Sequence, residues 1–559
     1  MNDDSANEAL ELLKQEDMIY DSFVNDEDGW TVVYDEWYNQ DHSNGGRYAY
    51  FAQPNQCEKI ISHDEWDLRC DEGLPGFVVN RQNGEDILTY RRNNKAPEFE
   101  PLIIVQDFHG VEPNSLLLSE EFRLLMNLWQ DPESGDFYMI SDDDSKELTV
   151  RFTAEKVEIR TSILCCYQAA RQLALVLVTD SVVYTQFRVP AESLQNLSFI
   201  KKTKDGLNRV SLSVVNDKTP GNGSCSRVLI KRILPPPPQE ECGIWPFENK
   251  QKKYLEFIIG EDKYGHPIEY TCDPDKLANY FGKNPDAPHY LTPVFFKKDV
   301  LQRYYDDSKL YSVSDGYLAC ARKWRVQIDN NNLNVVSVFL GDIGRYIPSG
   351  HRQHWLSYNV PPIYSMSESG IRRSFLGQFV ESDNPEHQFK HKYSELQKVW
   401  EQAWGWRLHR EPAKQDAGAI KRLRVPLNEI EAEFKQQLLN LALVLVDLLN
   451  EKSIVKQCPE AKDEKGGISK LEYFLKHYSY PHVERDISVL RDISVLRTVQ
   501  SMRSRIAAHA SGSNGQKYLD EQLNGKTTQE YFVLLLEKVV TMLDSLIAFA
   551  VDKAEQSKT

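Results

Sequence analysis

The sequence predicts a multidomain α+β protein, with a β-rich mixed N-terminal region followed by a C-terminal all-α helical bundle. Three observations predict it. At 559 residues the chain is long enough for two to four domains, each with its own core. Short segments rich in Val, Ile, Tyr and Phe recur through the first 340 residues and read as strands between turn signals. From residue 427 onward apolar residues recur instead at steps of three and four, the period of a buried helical face.

Residues 1–110 form an acidic, aromatic-rich N-terminal segment. Residues 1–50 hold 13 acids and 2 bases, a net of −11 within a chain total of −17. A helix is expected over 8–16, and strands over 30–34 and 48–51. The acid run reads as a solvated face or a flexible arm, with nucleic-acid mimicry as the minor alternative. Residues 111–234 read as an α+β domain. A short helix is expected over 122–128, then strands over 137–140 and 148–152. Asp142, Asp143, Asp144 and Ser145 join these strands as a solvated hairpin turn, ahead of a cation site. A helix over 162–173 follows, then two strands, 175–178 and 181–185, around Thr179 and Asp180, and further strands over 210–215 and 227–234.

The prolines at 235–238 predict a stiff linker. Residues 239–395 read as a β-rich α+β domain, with a strand over 255–259 and a helix over 297–305. A hairpin is expected from 324–328 through 329–332 to 335–340. His351 and His354 could ligate a metal, but no adjacent Cys or acid completes a set. His387 and His391 read as solvated polar positions. Residues 396–418 are a helix and linker, with Trp400, Trp404 and Trp406 in the helix and Pro412 in the break.

Residues 419–559 carry the helical bundle. Helices are expected over 427–452, 470–478, 485–510 and 527–554. In the third, Leu490, Ile493, Leu496, Val499, Met502 and Ile506 mark a buried face, and Ser511, Gly512, Ser513, Asn514 and Gly515 stop the helix. A hexapeptide repeats in tandem there, from Asp486 to Arg491 and again from Asp492 to Arg497. Six residues turn a helix by about 240°, so the repeated arginines fall on different faces and make no basic stripe.

Composition excludes several classes. The N-terminus is acidic and unlike a signal peptide, and no apolar run approaches the ~18 residues of a membrane span. Nine scattered cysteines without a Cys-x-x-Cys pair argue for a reducing cytoplasm and against a zinc ribbon. Walker, dinucleotide, zincin and serine-hydrolase signatures are missing. Residues 421–559 hold 20 bases and 19 acids, a net of +1, so the chain's acidity lies outside the bundle.

The end of the third bundle helix carries Arg503, Ser504, Arg505 and His509. A histidine titrates near neutral pH and can move a proton at a ribose hydroxyl. An arginine fork matches a phosphate. Arg505 and His509 share a helical face. Arg503 and His509 lie about 120° apart around the axis and about 9 Å apart along it, and could converge through arginine's long stem. The structural alternative is dipole compensation by arginine and a capping histidine. Arg503 followed by five residues and His509, late in a buried helix, resembles the R-x(4–6)-H motif of the HEPN (higher eukaryotes and prokaryotes nucleotide-binding) ribonucleases. Three residues separate Arg505 from His509, so the resemblance selects Arg503 and leaves Arg505 and Ser504 in support. The family more often has Asn, Asp or His where Ser504 stands.

The resemblance covers about 140 residues, a quarter of the chain, and implies a HEPN-like bundle. It implies a metal-independent endoribonuclease without cofactor, in which His509 transfers a proton and Arg503 holds the phosphate. It also implies a homodimer or higher homo-oligomer with a composite site, to which Leu490, Val495 and Leu496 would lend a shared seam. By analogy, such chains act in the cytoplasm in anti-phage defence, cutting host or phage RNA, tRNA included. Residues 1–410 would then sense a phage-derived trigger and restrain the nuclease. The alternative is a non-catalytic dimeric interaction or sensor protein that uses the bundle only for assembly.

Overall fold

The computed structural model describes residues 3–23, 29–40, 42–62, 76–91, 99–153, 156–217, 223–247, 253–376, 382, 384–413, 416–480, 488–507 and 513–556. The chain divides into two compact units, Met1–Gln251 and Lys252–Thr559. The first is β-rich; the second begins with small sheets and ends in helices, so the architecture is mixed α+β with a helical C-terminal region.

The first unit is built on an antiparallel sheet. Its strands run in the order Phe199–Lys202, Asn208–Asn216, Ser224–Leu234, Ala174–Thr185, Ser43–Ala52, Trp30–Gln40, Lys156–Arg160, Lys146–Phe152, Phe137–Ile140 and Trp129–Gln130. The adjacent strands Ser43–Ala52 and Trp30–Gln40 therefore sit in the middle of one sheet, flanked on both sides by strands from 111–234, because the apolar rows of each complete the other's core. Val33, Phe51, Ile159 and Leu175 bury together beneath Tyr167 of the helix Thr161–Arg171. The expected strands near Trp30 and Tyr48 are present, as is the hairpin turn at Asp142 to Ser145, where Asp143 Oδ1 accepts from the Ser145 amide at 3.1 Å.

Several expectations in this unit change. The two strands expected around Thr179 and Asp180 are one strand, Ala174–Thr185. Polar residues that read as a turn have partners across the sheet: Arg227 donates to both Asp180 carboxylate oxygens at 2.9 and 2.6 Å. The acidic N-terminus is no arm among the described residues. The helix Asp3–Lys14 docks through the fully buried Leu13, and the Gln15 side chain donates to Ser226 Oγ at 2.9 Å and Ser226 O at 3.2 Å. The proline run is tied to its own unit, since Gln172 Nε2 donates to Pro237 O at 3.0 Å.

In the second unit, Pro293–Lys297 pairs with Val335–Phe339 and Asn359–Val360, while Trp324–Gln327 closes a separate three-stranded sheet with Tyr317–Cys320. The hairpin expected between 324–328 and 335–340 does not form. Its connecting residues grip Lys298 instead: the buried ammonium donates to the carbonyls of Asn330 (3.1 Å) and Asn332, and Asp329 accepts from the Ser367 amide. Only an isolated bridge, Asp329 to Ser337, links the two segments.

The helical region begins earlier than the expected 419. Asn384 caps the helix Pro385–Trp404, accepting from the Glu386 amide at 3.0 Å, with Pro385 at the first position and Gly405 in the left-handed region at the end. Its Phe389, Leu396 and Trp400 are fully buried in one core with the helices Glu431–Ala442, Gly467–His477, Ser488–Met502 and Thr528–Gln556. The single helix expected over 427–452 is broken. An α-helix Glu431–Ala442 passes into a π turn, Leu443–Asp447, and a new helix starts at Glu451 under an Asn450 cap. A further helix, Ser513–Leu523, stands where a stop was expected. Ser and Asn that end one helix equally favour the start of the next.

Candidate functional site

The helix Ser488–Met502 buries Ile493, Val495, Leu496, Val499 and Met502 in the bundle core. The apolar spacing read from the sequence thus fixes which side faces inward. Val495 and Leu496 are 4% and 2% exposed within their own chain, so they cannot line a seam between copies. The helix Pro385–Trp404 covers apolar surface that the bundle would otherwise have left over. The side chain of Leu490 lies outside the described set.

Immediately after Met502 the backbone becomes a π turn, Arg503–Ala507. Such turns splay side chains that an α-helix would stack, and are frequent at functional positions. Arg503, Ser504 and Arg505 emerge here, and each takes a different partner. The Arg503 guanidinium donates to both carboxylate oxygens of Asp447 at 2.5 Å. Asp447 ends the other π turn, Leu443–Asp447, so the ion pair joins two π turns on facing elements. Ser504 Oγ turns back to the Gln500 carbonyl at 2.9 Å. Arg505 lies over the Tyr518 ring at 4.8 Å, and Tyr518 Oη meets Ser501 Oγ at 3.3 Å. His509 is one of residues 508–512, outside the described residues. The structure therefore brings Arg503 to Asp447 and Arg505 to Tyr518, and the two arginines do not share a partner.

Asp447 is the residue that sequence reading missed. Its signal is present: it is the only charged residue between Leu438 and Asn450. Its carbonyl also accepts from Arg410 Nη2 at 2.8 Å. Arg503 is 28% exposed at the side chain and Asp447 42%, so water reaches both and an incoming anion could replace the carboxylate. A cavity of about 540 Å³ beside the same helix, lined by Ser494, Thr498 and Lys538, does not include Arg503, Ser504 or Arg505.

The histidines of the second unit are largely consumed by packing. His351 is fully buried, its Nδ1 3.0 Å from Tyr304 Oη, and His354 Nε2 lies 2.9 Å from the Val300 carbonyl. Each ring thus spends one nitrogen on a contact inside its own unit. His391 is solvated as expected, 71% exposed. His387 is not: its Nε2 is buried without a hydrogen-bond partner, and burial pushes its pKa down to about 4. Among the described residues, Cys458, Glu460 and His477 place three potential metal-ligand atoms within 4.8 Å of one another. Burial raises the Cys458 thiol, which donates to Glu460 Oε2 at 3.6 Å. Among the described residues no helix is long and apolar enough to cross a membrane. No protein-family model, curated protein or solved structure matches this chain.

Proposed function

We propose that the chain is a metal-independent endoribonuclease of the HEPN type, acting in the cytoplasm as a homodimer in bacterial anti-phage defence. The observation that carries the reading is local. The apolar side of the helix Ser488–Met502 is sunk in a core, and Arg503, Ser504 and Arg505 leave it together on a π turn, four to six residues before His509. In the reaction the ribose 2′-oxygen attacks the adjacent phosphorus as the P–O5′ bond breaks. The 2′ proton leaves and O5′ gains one, giving a 2′,3′-cyclic phosphate and a 5′-hydroxyl. His509 takes part in that transfer, and Arg503 neutralises the phosphate, exchanging Asp447 for it. Arg505, held on Tyr518, supports the local charge.

A second reading rests on a specific contact. The Arg503–Asp447 pair bolts two π turns of one chain together, which suits a non-catalytic bundle that only assembles. Purified protein on total RNA, with chelator present, separates the two. Cyclic-phosphate ends that vanish in a folded His509→Ala protein support the nuclease. Undiminished cutting by that variant removes His509 from the mechanism, and absence of cutting by active-concentration wild type favours the assembly reading.

A further inference from the structure

Two helices of the second unit end against each other. The helix Glu451–Gln457 stops at Cys458, and a short 3₁₀ turn, Pro459–Asp463, follows. The helix Gly467–His477 then runs back and ends beside that stop. Packing and a hydrogen bond hold the return. Ile454, Leu471, Phe474 and Leu475 are buried in one core, and Tyr478 Oη donates to the Gln457 carbonyl at 3.1 Å. The fold-back gathers three side chains that make no recognisable motif in the sequence. One residue separates Cys458 from Glu460, and sixteen separate Glu460 from His477. A Cys-x-x-Cys signature cannot reveal this set, because it uses a single cysteine.

Thiolate, imidazole and carboxylate are the ligand types that Zn²⁺ takes from proteins. Their spacing suits it as well. With zinc bonds of about 2.3 Å to sulfur and about 2.0–2.2 Å to nitrogen or oxygen, two ligand atoms of a tetrahedron stand roughly 3.4–3.6 Å apart. Cys458 Sγ and Glu460 Oε2 are 3.6 Å apart, and all three ligand atoms lie within 4.8 Å of one another. His477 is exposed, so side-chain rotation can bring its ring the rest of the way. The surroundings favour a cation. Cys458 is fully buried, which shields a metal–sulfur bond, while the exposed Glu460 and His477 leave an entry from solvent. His477 also lies in the last turn of its helix, where the backbone dipole is negative. A thiol–carboxylate hydrogen bond would account for Cys458 and Glu460, but not for an imidazole brought to the same place.

We propose that Cys458, Glu460 and His477 bind one Zn²⁺, with a water completing the tetrahedron, and that the ion ties the ends of the two helices together. Binding expels the thiol proton to solvent, and the thiolate and carboxylate then balance the charge of the ion. Mg²⁺ and Ca²⁺ take about six or more oxygen ligands, which a set with one carboxylate does not offer. The ion holds the fold and moves no proton of RNA. The site therefore stands apart from the ribonuclease reading, and its test needs no RNA.

Cobalt(II) titration of the full chain, stripped with chelator, desalted and kept reduced, tests it. The expected spectrum has a sulfur-to-cobalt charge-transfer band in the near ultraviolet and visible bands of tetrahedral strength. Both should saturate at one equivalent and vanish when Zn²⁺ is added, but not with excess Mg²⁺. Zn²⁺ should also raise the melting temperature by a few degrees. Glu460→Gln and His477→Gln replace exposed side chains and should leave the circular dichroism spectrum unchanged. Each should weaken cobalt binding at least about tenfold, since losing even an outer-shell partner costs roughly 10–100-fold. Cys458→Ser should abolish the near-ultraviolet band; should that buried substitution fail to fold, the two exposed variants still decide the matter. A cobalt spectrum without the sulfur band, a folded Cys458→Ser protein that keeps it, or undiminished binding in Glu460→Gln or His477→Gln overturns the site. Zn²⁺ that binds through these residues without raising the melting temperature overturns the tie between the helices.

Discussion

Arg503 and Asp447 separate the catalytic and structural readings, because the two readings give different signs at the two ends of one ion pair. The perturbations are Arg503→Ala and Asp447→Asn. Their side chains are 28% and 42% exposed, so the pair stabilises by only about 0–1 kcal/mol after solvent screening. Both variants should therefore melt within a few degrees of the parent. Activity should diverge. On the catalytic reading, removing the arginine fork takes away the charge that would neutralise the reacting phosphate, a loss of ~10²–10³ in rate on the scale of a single preorganised donor. Removing the Asp447 charge acts the other way. A carboxylate and a phosphate sharing one guanidinium sit roughly 7 Å apart, and their repulsion is about 0.6–2.4 kcal/mol between water-like and surface-like dielectric. Asp447→Asn should thus raise kcat/KM about three- to fiftyfold at low salt, and the gain should shrink as ionic strength screens the charge. The amide oxygen of Asn can still accept one bond from Arg503, so its placement persists. The assay is steady-state cleavage of RNA across a salt series, beside thermal melts of each variant. Equal losses in both variants would make the pair a structural bolt, and unchanged activity in both would take Arg503 out of the site altogether.

Arg503→Lys should harm cleavage more than Arg505→Lys, since lysine keeps the charge without the fork and can still sit over Tyr518; the reverse order in kcat/KM would move the site to Arg505. Burial lowers the pKa of His409 to about 4 in the fold, below the ordinary 6.5, so the unfolded chain takes the proton first. Stability is then lost as pH falls from about 6.5 to about 4, by roughly 3 kcal/mol from this group, and His409→Gln should remove that slope in urea unfolding at pH 7 and pH 4. Residues 411–559 expressed alone should not fold, because they lack Phe389, Leu396 and Trp400, whose truncations would cost about 8–15 kcal/mol together, as much as a typical whole domain's stability; a cooperative melt of that fragment would refute this. Light scattering should show a dimer, and Leu496→Ala should cost about 2–5 kcal/mol in unfolding without changing molar mass, whereas dissociation would return Leu496 to a seam between copies.

How much of this was legible in the sequence depends on how far apart the interacting residues lie. The inward side of the helix Ser488–Met502 was legible, because Ile493, Leu496, Val499 and Met502 carry the helical period within ten residues. The strands near Trp30 and Tyr48 were legible because their β-branched and aromatic residues are likewise close together in sequence. What failed was every inference in which a distant partner decides. Thr179 and Asp180 look like a turn until Arg227, 47 residues beyond Asp180, holds Asp180 in the middle of a strand. Residues 329–332 look like a hairpin loop until Lys298 is found bonded to their carbonyls. The helix over 427–452 looks unbroken because Leu and Val continue through it. Only the ladder of backbone bonds shows the π turn at Leu443–Asp447.

The candidate site repeats that division. Arg503 was selected by the motif resemblance, which uses only residues close to it in sequence, and Asp447, 56 residues earlier, was not found. Yet the same partner gives the site its physical character. An arginine at a helix end with no acid beside it would be an open phosphate receptor at all times. An arginine held by an exposed carboxylate is a weaker receptor, placed in advance and released only to an anion that binds it better. A phosphate diester carries one full charge, like the carboxylate it displaces, so the exchange is close to balanced in charge and is settled by geometry, proximity and salt. A site built this way binds stray RNA weakly and gains most from a substrate positioned by contacts elsewhere. That matches a bundle segment whose net charge is only +1 over residues 421–559. If structured RNA and a short unstructured oligomer are cut with equal kcat/KM, positioning from elsewhere contributes nothing, and the poised ion pair is not what limits indiscriminate cleavage.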